Sequence, residues 1–430
     1  MLSKNKQFSN FSNAKQTNSD CFRPDNEEEL ASLFSHSSEK GLLARGNGSS
    51  YGDCCLNHQG LIVDTSRLNH LLNFNEETGL LVCQGSVSFA DLFLVSPHYI
   101  PPVIPGTLRA TVAGGVANDV HGKNNHHAGS FGEHVQWIDL QLGEQFLRCD
   151  RKTHAELFYA TLAGLGLTGI IKQVAIQMRK ATHFVQVQYE KYYDFAPLLE
   201  QMKKKGCHFD YQVAWLDLLN KPRALLSLAN HCEPITMSTQ RYRHTIPKLP
   251  IRLITSWGMK QFNRIYFQGH TTTQRTLALS QFNNPLDSVA HWNRLYGKKG
   301  LLQFQALVPE ELALTALKTL LEIIRSHQAT PTLAVLKYFS KPGLGLLSFV
   351  QPGFTLAVDF INNQQAHQAI LAMNEWISEV KGKVYLAKDL LLTAKQFAKQ
   401  YPQQEQFSEI LKRYNSRMRS DLSQRLGITQ

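Results

Sequence analysis

The chain has 430 residues, 43% of them hydrophobic and 18% charged, with 27 glycines and 16 prolines. These proportions describe a globular protein of two or three domains and exclude collagen-like, coiled-coil and wholly disordered chains. Lys and Arg number 45 against 34 Asp and Glu, a net charge of +11. That excess suits anionic partners such as lipid phosphates, nucleic acid or a phosphorylated substrate, and by itself selects none of them.

The first twenty residues are rich in Ser, Asn, Gln and Lys and lack the apolar core of a signal peptide. Asp25 to Leu30 reads as a helix start with acids in its first turn, and Leu30, Leu33 and Phe34 form its apolar face. Gly41 to Ala44 is a short apolar strand that runs into the glycine-rich turn from Arg45 to Gly52. Leu61 to Asp64 and Leu80 to Cys83 are further strands. A small-residue stretch from Pro105 to Gly132 precedes an alternating strand over Trp137 to Leu142, a helix over Ala155 to Leu162 and a strand over Ile170 to Met178.

From about Ala181 to Gly382, aromatic and β-branched runs (Phe184 to Tyr189, Tyr211 to Leu216, Leu301 to Val308, Thr355 to Phe360) mix with amphipathic helices over Glu310 to Arg325 and Ala366 to Val380. This pattern fits an antiparallel sheet covered by helices. Tyr401 to Leu426 reads as a basic terminal helix or pair of helices. No apolar run approaches the roughly 20 residues that span a bilayer, so the expectation is a soluble protein, or one resting on a membrane. The seven cysteines show no C-x-x-C spacing, which argues against a disulfide framework and a zinc ribbon and favours a reducing, cytoplasmic compartment.

No acidic residue occurs between Glu233 and Asp287, whereas Arg241, Arg243, Lys248, Arg252, Lys260, Arg264 and Arg275 all fall there, interleaved with Trp257, Phe262, Tyr266 and Phe267. Residues 234–286 read either as a basic-aromatic surface for an anionic lipid or phosphate, or as a solvated loop.

Two familiar patterns fail on context. Gly164-Leu-Gly-Leu-Thr-Gly169 matches G-x-G-x-x-G, but a helix precedes it and a strand follows, the reverse of a dinucleotide-binding turn. Gly48-Ser-Ser-Tyr-Gly52 matches the G-x-S-x-G elbow of hydrolases, yet no helix pattern follows Ser50. A serine hydrolase at Ser50 is therefore the lesser reading from another class. What survives is the glycine chemistry itself: successive backbone N–H groups form nests for anionic oxygens. Arg45 to Asp53 and Pro105 to Asn124 offer two such cradles, which suits one long, doubly phosphorylated ligand.

Arg45-Gly-x-Gly-x-Ser-Tyr-Gly-Asp53, Pro105-Gly-Thr107, Asp119-Val-His-Gly-Lys-Asn124, Gly129-Ser-Phe-Gly132 and Leu165-Gly-Leu-Thr-Gly-Ile170, in this order, resemble the FAD-linked oxidases of the vanillyl-alcohol oxidase fold. The likeness is nearest to the decaprenylphosphoryl-β-D-ribose 2′-oxidase family. It continues through His291-Trp-Asn-Arg294, Gln303-Phe-Gln305, Lys337-Tyr-Phe339, Val358-Asp-Phe360 and Tyr385-Leu-Ala-Lys-Asp389.

The resemblance implies an α+β protein. A two-subdomain FAD-binding domain would occupy residues 1–180, with 383–430 returning to it, and a substrate domain with a helix-covered antiparallel sheet would occupy 181–382. It carries cofactor contacts onto Arg45, Gly46, Asn47, Gly48, Ser49, Ser50, Tyr51, Gly52, Asp53, Gly106, Thr111, Gly114, Asn118, His121, Gly122, Ile170 and Tyr385. Tyr51, Lys123, Gln303, Gln305, Lys337 and Lys388 would meet the substrate, with Lys388 and His121 as the catalytic pair.

Many relatives in the wider fold attach flavin through a histidine in the first glycine turn. Here that turn holds Ser49 and Ser50, which predicts noncovalent FAD. Thr355 and Ala357 stand where some family members have Asn and Cys, so the redox step needs no thiol here. His121, His126, His127 and His134 lack cysteine neighbours and H-E-x-x-H spacing, and no metal is expected.

The implied reaction is hydride transfer to flavin N5 from the 2-hydroxyl carbon of a polyprenyl-phosphoryl ribose, in cell-envelope sugar metabolism. Lys388 would either accept the hydroxyl proton with a lowered pKa or stay charged beside a developing alkoxide. The alternative within the fold is an aldonolactone or alditol oxidase acting on a soluble sugar. The partners expected are a lipid-linked sugar, a ketoreductase and, through 234–286, the inner face of the membrane; no nucleic-acid partner is expected.

Overall fold

The computed structural model describes residues 3–35, 41–233, 244–248, 251–270 and 274–429. Arg241 and Arg243 of the basic stretch lie outside the described residues. Three large sheets carry the architecture. In the first, the apolar strands Leu42–Arg45 and Leu61–Asp64 pair in parallel, and the hairpin Lys4–Ser9/Gln16–Phe22 adds two more strands through Gln16–Phe22. The polar N-terminus is thus a β-hairpin. Its buried side chains are Thr17, Ser19 and Cys21, the two hydroxyls bonded to His58 Nδ1 and Asn57 O at 2.9 and 2.6 Å. A hydrophobic pattern carries no trace of such a strand.

The second sheet is antiparallel, in the order Leu71–Asn75, Leu80–Gln84, Ile170–Gln177, Val135–Leu142, Gln145–Asp150. The third is an antiparallel sheet of eight strands from Arg275–Ala278 to Lys383–Val384. Towards its Lys383–Val384 edge, Pro331–Phe339, Gly353–Ile361 and Leu301–Val308 lie side by side. The amphipathic helices Phe195–Gly206, Ala313–Ser326 and Gln364–Glu379 cover it with Leu198, Leu317, Leu320 and Ile377, all buried.

The C-terminal chain from Tyr401 to Leu426 forms the expected pair of helices, Gln404–Arg413 and Asp421–Arg425, and the short helix Ala394–Gln400 precedes them. Capping boxes at Thr393 and Ser420 start the first and last of these three. Between them Met418 forms a parallel bridge to Leu42, with Leu42 N–H donating to Arg417 O at 3.0 Å and Arg419 N–H to Leu42 O at 2.7 Å. The edge of the first sheet is covered by this return. We propose the division anticipated above because the first two sheets use strands up to residue 177 and the third uses 184–384. One core cluster nevertheless joins Leu42 and Val63 to Phe304, Phe360 and Phe407.

Candidate active site

The turn after Leu42–Arg45 is built to leave backbone donors free. Gly48 has φ +59°, where a side chain is strained, and a Cβ there would lie 2.1 Å from the Arg45 guanidinium. That guanidinium is used inside the turn: it donates to Cys55 O at 2.7 Å and Ser9 O at 2.9 Å and sits over the Phe8 ring. Arg45 therefore shapes the cradle from behind. The amides of Gly46, Asn47, Gly48, Ser49, Ser50 and Tyr51 donate to no group among the described residues. Six consecutive free N–H groups form a ready anion nest.

The second glycine segment meets the first directly. A Cβ on Gly46 would stand 2.6 Å from Thr111 Oγ1, and Asn47 Nδ2 donates to Arg109 O at 2.8 Å. Thr111 caps the short helix Val112–Ala117 by accepting from Gly114 N–H, and Asn118 closes it by donating to Gly114 O at 2.9 Å. A Cβ on Gly106 would meet nothing within 4 Å, so that glycine borders open space. Ile170 begins the neighbouring strand. These free amides, the small residues around open space and the contact between the two segments fit one diphosphate-bridged dinucleotide such as FAD.

Beyond Asn118 the loop turns through Asp119, whose carboxylate accepts from Ser130 Oγ, Gly132 N–H and Ser348 Oγ at 2.6–2.9 Å. This carboxylate fixes the position of His121. The imidazole packs against Phe339, Phe349 and Tyr385, with centroids 4.9–5.6 Å away, and Tyr385 itself donates its hydroxyl to Asn118 O at 2.9 Å. Gly122 allows close approach to Ile104, whose carbonyl oxygen would lie 3.0 Å from an added Cβ.

The third sheet supplies the opposite wall. Strand alternation and register set Gln303 opposite Asp359, Gln305 opposite Ala357 and Lys337 opposite Thr355. Gln305 Nε2 lies 3.0 Å from His121 Nε2 and 3.1 Å from Thr355 Oγ1. With the amide donating to both, the imidazole proton resides on Nδ1, a buried atom with no partner among the described residues. Burial, then the charges of Lys337 and Lys388, hold the His121 pKa well below 6.5, so the ring is neutral.

Gln303 Nε2 donates to Asp359 Oδ1. Burial pushes the Asp359 carboxyl up to about 6, against the Gln303 hydrogen bond and Lys388. Lys388 sits 4.9 Å from the centre of the Tyr51 ring. Burial lowers its ammonium to about 8, with Asp359 opposing the shift. Lys337 falls to about 7, through burial and then the charges of Lys388 and Lys123. Lys123 also falls to about 7 by burial, and its ammonium is held at Phe282 by the carbonyl and, 4.3 Å away, the ring. Burial beside Asp359 raises the Tyr51 hydroxyl well above its usual range. Three half-buried cations thus crowd a cleft whose buried carboxylate is Asp359.

Asp359 was visible in the sequence only as part of Val358-Asp-Phe360. Its role emerges from the pairing of two strands 56 residues apart. The other expected acid, Asp53, faces away from the cleft: it pairs with Lys15 at 3.0 Å and Arg425 at 2.9 Å, and Arg425 also pairs with Asp389 at 2.9 Å. Gly52 N–H donates to Ala387 O at 3.0 Å, which ties the first cradle to the turn that carries Lys388.

The reversed order around Gly164–Gly169 holds, between the helix Ala155–Thr161 and the strand Ile170–Gln177. No helix follows Ser50 before Leu61, so the hydrolase elbow is absent and that reading is dropped. His126 and His134 bond to the carbonyls of Phe209 and Ala128, each at 2.9 Å.

Comparison with known proteins agrees with this geometry. Residues 21–144 match the model of a family described as an FAD binding domain. Decaprenylphosphoryl-β-D-ribose oxidase of Mycolicibacterium smegmatis is 31% identical over 398 residues, covering 86% of this chain and 85% of its own. An uncharacterised protein of Streptomyces coelicolor is 26% identical over 79% of this chain and 98% of its own. Cytokinin dehydrogenase 1 of Arabidopsis thaliana is 25% identical over 46% of this chain and 38% of its own. FAD is thus the cofactor of an oxidoreductase that acts on CH–OH groups. By its cradle, its cleft and this likeness along most of its length, the chain belongs to the decaprenylphosphoryl-β-D-ribose oxidase family of FAD-linked oxidases.

Proposed function

We propose that the protein oxidises the 2-hydroxyl of a polyprenyl-phosphoryl ribose, and that its FAD is held without a covalent bond. The observation that carries this reading is the cluster of Lys123, Lys337 and Lys388, which lie near enough to act on one another's charge, with Asp359 as the carboxylate coupled to Lys388. Such a cluster suits an anionic phosphosugar better than a neutral sugar, which sets the aldonolactone and alditol alternatives aside. The named function of the Mycolicibacterium relative supports the same substrate class.

Alcohol oxidation removes a hydride from carbon and a proton from oxygen. Bound FAD supplies the acceptor for the hydride. The chain handles the proton and the placement. Lys388, with a pKa of about 8, is present in part as a neutral amine near neutral pH and takes the hydroxyl proton. Asp359, held by Gln303, faces the ammonium that results. Lys337 and Lys123 meet the phosphate. The unpartnered Nδ1–H of His121 offers a hydrogen bond to an oxygen in the cleft, and Gln305 keeps that tautomer in place. The 2-keto product is then a substrate for a separate ketoreductase.

The test is anaerobic titration of the purified yellow protein with polyprenyl-phosphoryl pentoses and with soluble sugars. Bleaching by the phosphoryl ribose alone is expected, and bleaching by a neutral alditol or lactone would overturn the assignment. Acid precipitation should leave the yellow colour in the supernatant; colour in the pellet would contradict noncovalent binding.

A further inference from the structure

The basic stretch is not used by the chemistry above, and its described part has an unusual surface. The helix Ser256–Gly269, started by the Thr255 cap on Gly258 N–H, packs inward through Asn263 and Phe267. Asn263 Nδ2 donates to Asp217 Oδ1 at 2.9 Å, and Phe267 packs on Trp215 and Leu225. Trp257, Phe262 and Ile265 occupy the opposite side, within an arc of about 140° at 100° per residue. They point into solvent: Trp257 is 73% exposed and Ile265 69%. Ile251 and Leu253, just before the helix, are also exposed. Lys260 and Arg264 border this apolar arc, and they and Arg252 form no ion pair among the described residues.

We propose that this face, formed by Ile251, Leu253, Trp257, Phe262 and Ile265 with Arg252, Lys260 and Arg264 at its rim, docks on an anionic lipid bilayer. Apolar residues that include a tryptophan, rimmed by cations, match a helix lying in the plane of a membrane interface. Charge complementarity selects the bilayer over a second copy of the chain. No acidic residue lies between Glu233 and Asp287, so two such faces would set cation against cation, whereas anionic headgroups meet opposite charge.

The face is continuous with the mouth of the cleft. His244–Thr245 pairs with Val289–Ala290, Leu253 N–H donates to Leu295 O at 2.9 Å, and Arg294 donates to Ile246 O at 2.8 Å. That same 289–296 segment places Trp292 against Phe11, and Phe11 packs on Tyr51, the ring beside Lys388. Docking therefore presents the cleft to a substrate whose polyprenyl chain stays in the bilayer, a consequence that rests on the proposed lipid-linked substrate.

The test uses the FAD-loaded full chain in co-sedimentation with vesicles of phosphatidylcholine, with and without phosphatidylglycerol, at low and high salt. The wild type should bind only the phosphatidylglycerol vesicles and detach at high salt. Trp257→Ser/Ile265→Ser and Lys260→Glu/Arg264→Glu should each weaken binding at least tenfold, with flavin content and bleaching by a short-chain soluble substrate unchanged. Brominated lipid should quench more emission in the wild type than in Trp257→Ser. Equal binding by the variants, or a wild type that stays in the supernatant or self-associates through this face, overturns the proposal. If the vesicles bind but no polyprenyl-phosphoryl pentose bleaches the flavin, the substrate assignment fails while the docking surface stands.

Discussion

Gly52 lies so close to Asp389 that a Cβ on the glycine would stand 2.4 Å from the aspartate carbonyl oxygen. Nothing at that point can give way, because the atom in contact is backbone. The first amide cradle and the turn bearing Lys388 are therefore one rigid unit. Gly52→Ala should lose both flavin and activity together, with destabilisation of roughly 2 kcal/mol or more from forced overpacking. Flavin absorbance per mole of protein measures the first effect, and a fully loaded, active variant would disprove the coupling.

The pH profile reports on Lys388. Its pKa is depressed to about 8, so the neutral amine gains population as pH rises through that value. The rate of anaerobic flavin reduction should climb about tenfold per pH unit below 8 and level off above it. Lys388→Ala should abolish that limb and slow reduction by about 100-fold or more, with the flavin spectrum retained. A rate that falls as pH rises through 8 would instead assign the residue as a cation.

Lys337 should oppose stability while serving function. Its pKa is about 7 in the folded state and about 10.4 in an unfolded chain. Between these values the unfolded chain binds more protons, so the contribution of this group to stability rises with pH from about 7 to about 10. Lys337→Met removes the depressed cation and should stabilise the flavin-free protein by roughly 1–2 kcal/mol at pH 7, with little gain near pH 10. Thermal unfolding at the two pH values checks the sign, and substrate affinity should fall in the same variant.

Much of this architecture was legible in the sequence, for reasons that differ by element. Leu61–Asp64 and Leu301–Val308 are apolar runs of strand length, and the structure keeps those bounds. The glycine turn from Arg45 to Gly52 stood out because side chains are excluded where Gly48 takes positive φ and Gly52 meets backbone. The N-terminal hairpin was hidden because two of the three side chains its strand buries are the hydroxyls of Thr17 and Ser19. Asp359 and the placement of Thr355 were hidden because strand register, which no local pattern encodes, sets them opposite Gln303 and Lys337. Asp53 looked like a ligand by its place in the motif, yet Lys15 and Arg425 claim it, and those partners come from opposite ends of the chain.

That ion-pair network makes its own prediction. Arg425 is half-buried and joins Asp53 to Asp389, while its remaining donors reach Leu392 O. Removal of the cation leaves Asp389 with backbone donors alone and Asp53 with Lys15 alone, and breaking a buried pair in this way typically costs up to about 3–5 kcal/mol. Arg425→Met should lower the unfolding midpoint sharply and weaken FAD retention, since Asp53 ends the cradle and Asp389 follows Lys388. Asp53→Asn, which keeps a hydrogen-bonding group, should do less damage.

Thr355 offers the finest test of the cleft, because it touches the reaction only through its neighbours. Its hydroxyl and the His121 imidazole share the Gln305 amide at 3.1 and 3.0 Å. Thr355→Val keeps the shape and removes the acceptor, which frees the Gln305 amide to rotate and lets the imidazole proton move to Nε2. Flavin reduction should slow about tenfold, with KM for substrate little changed and the protein fully loaded with FAD. Thr355→Ser should restore the rate, because the acceptor returns. The imidazole nitrogen shifts measured by NMR should show protonation at Nδ1 in the wild type and the serine variant and a mixture in the valine variant. A valine variant with unchanged kinetics and unchanged nitrogen shifts would show that the tautomer is fixed by something other than this hydrogen-bonded chain.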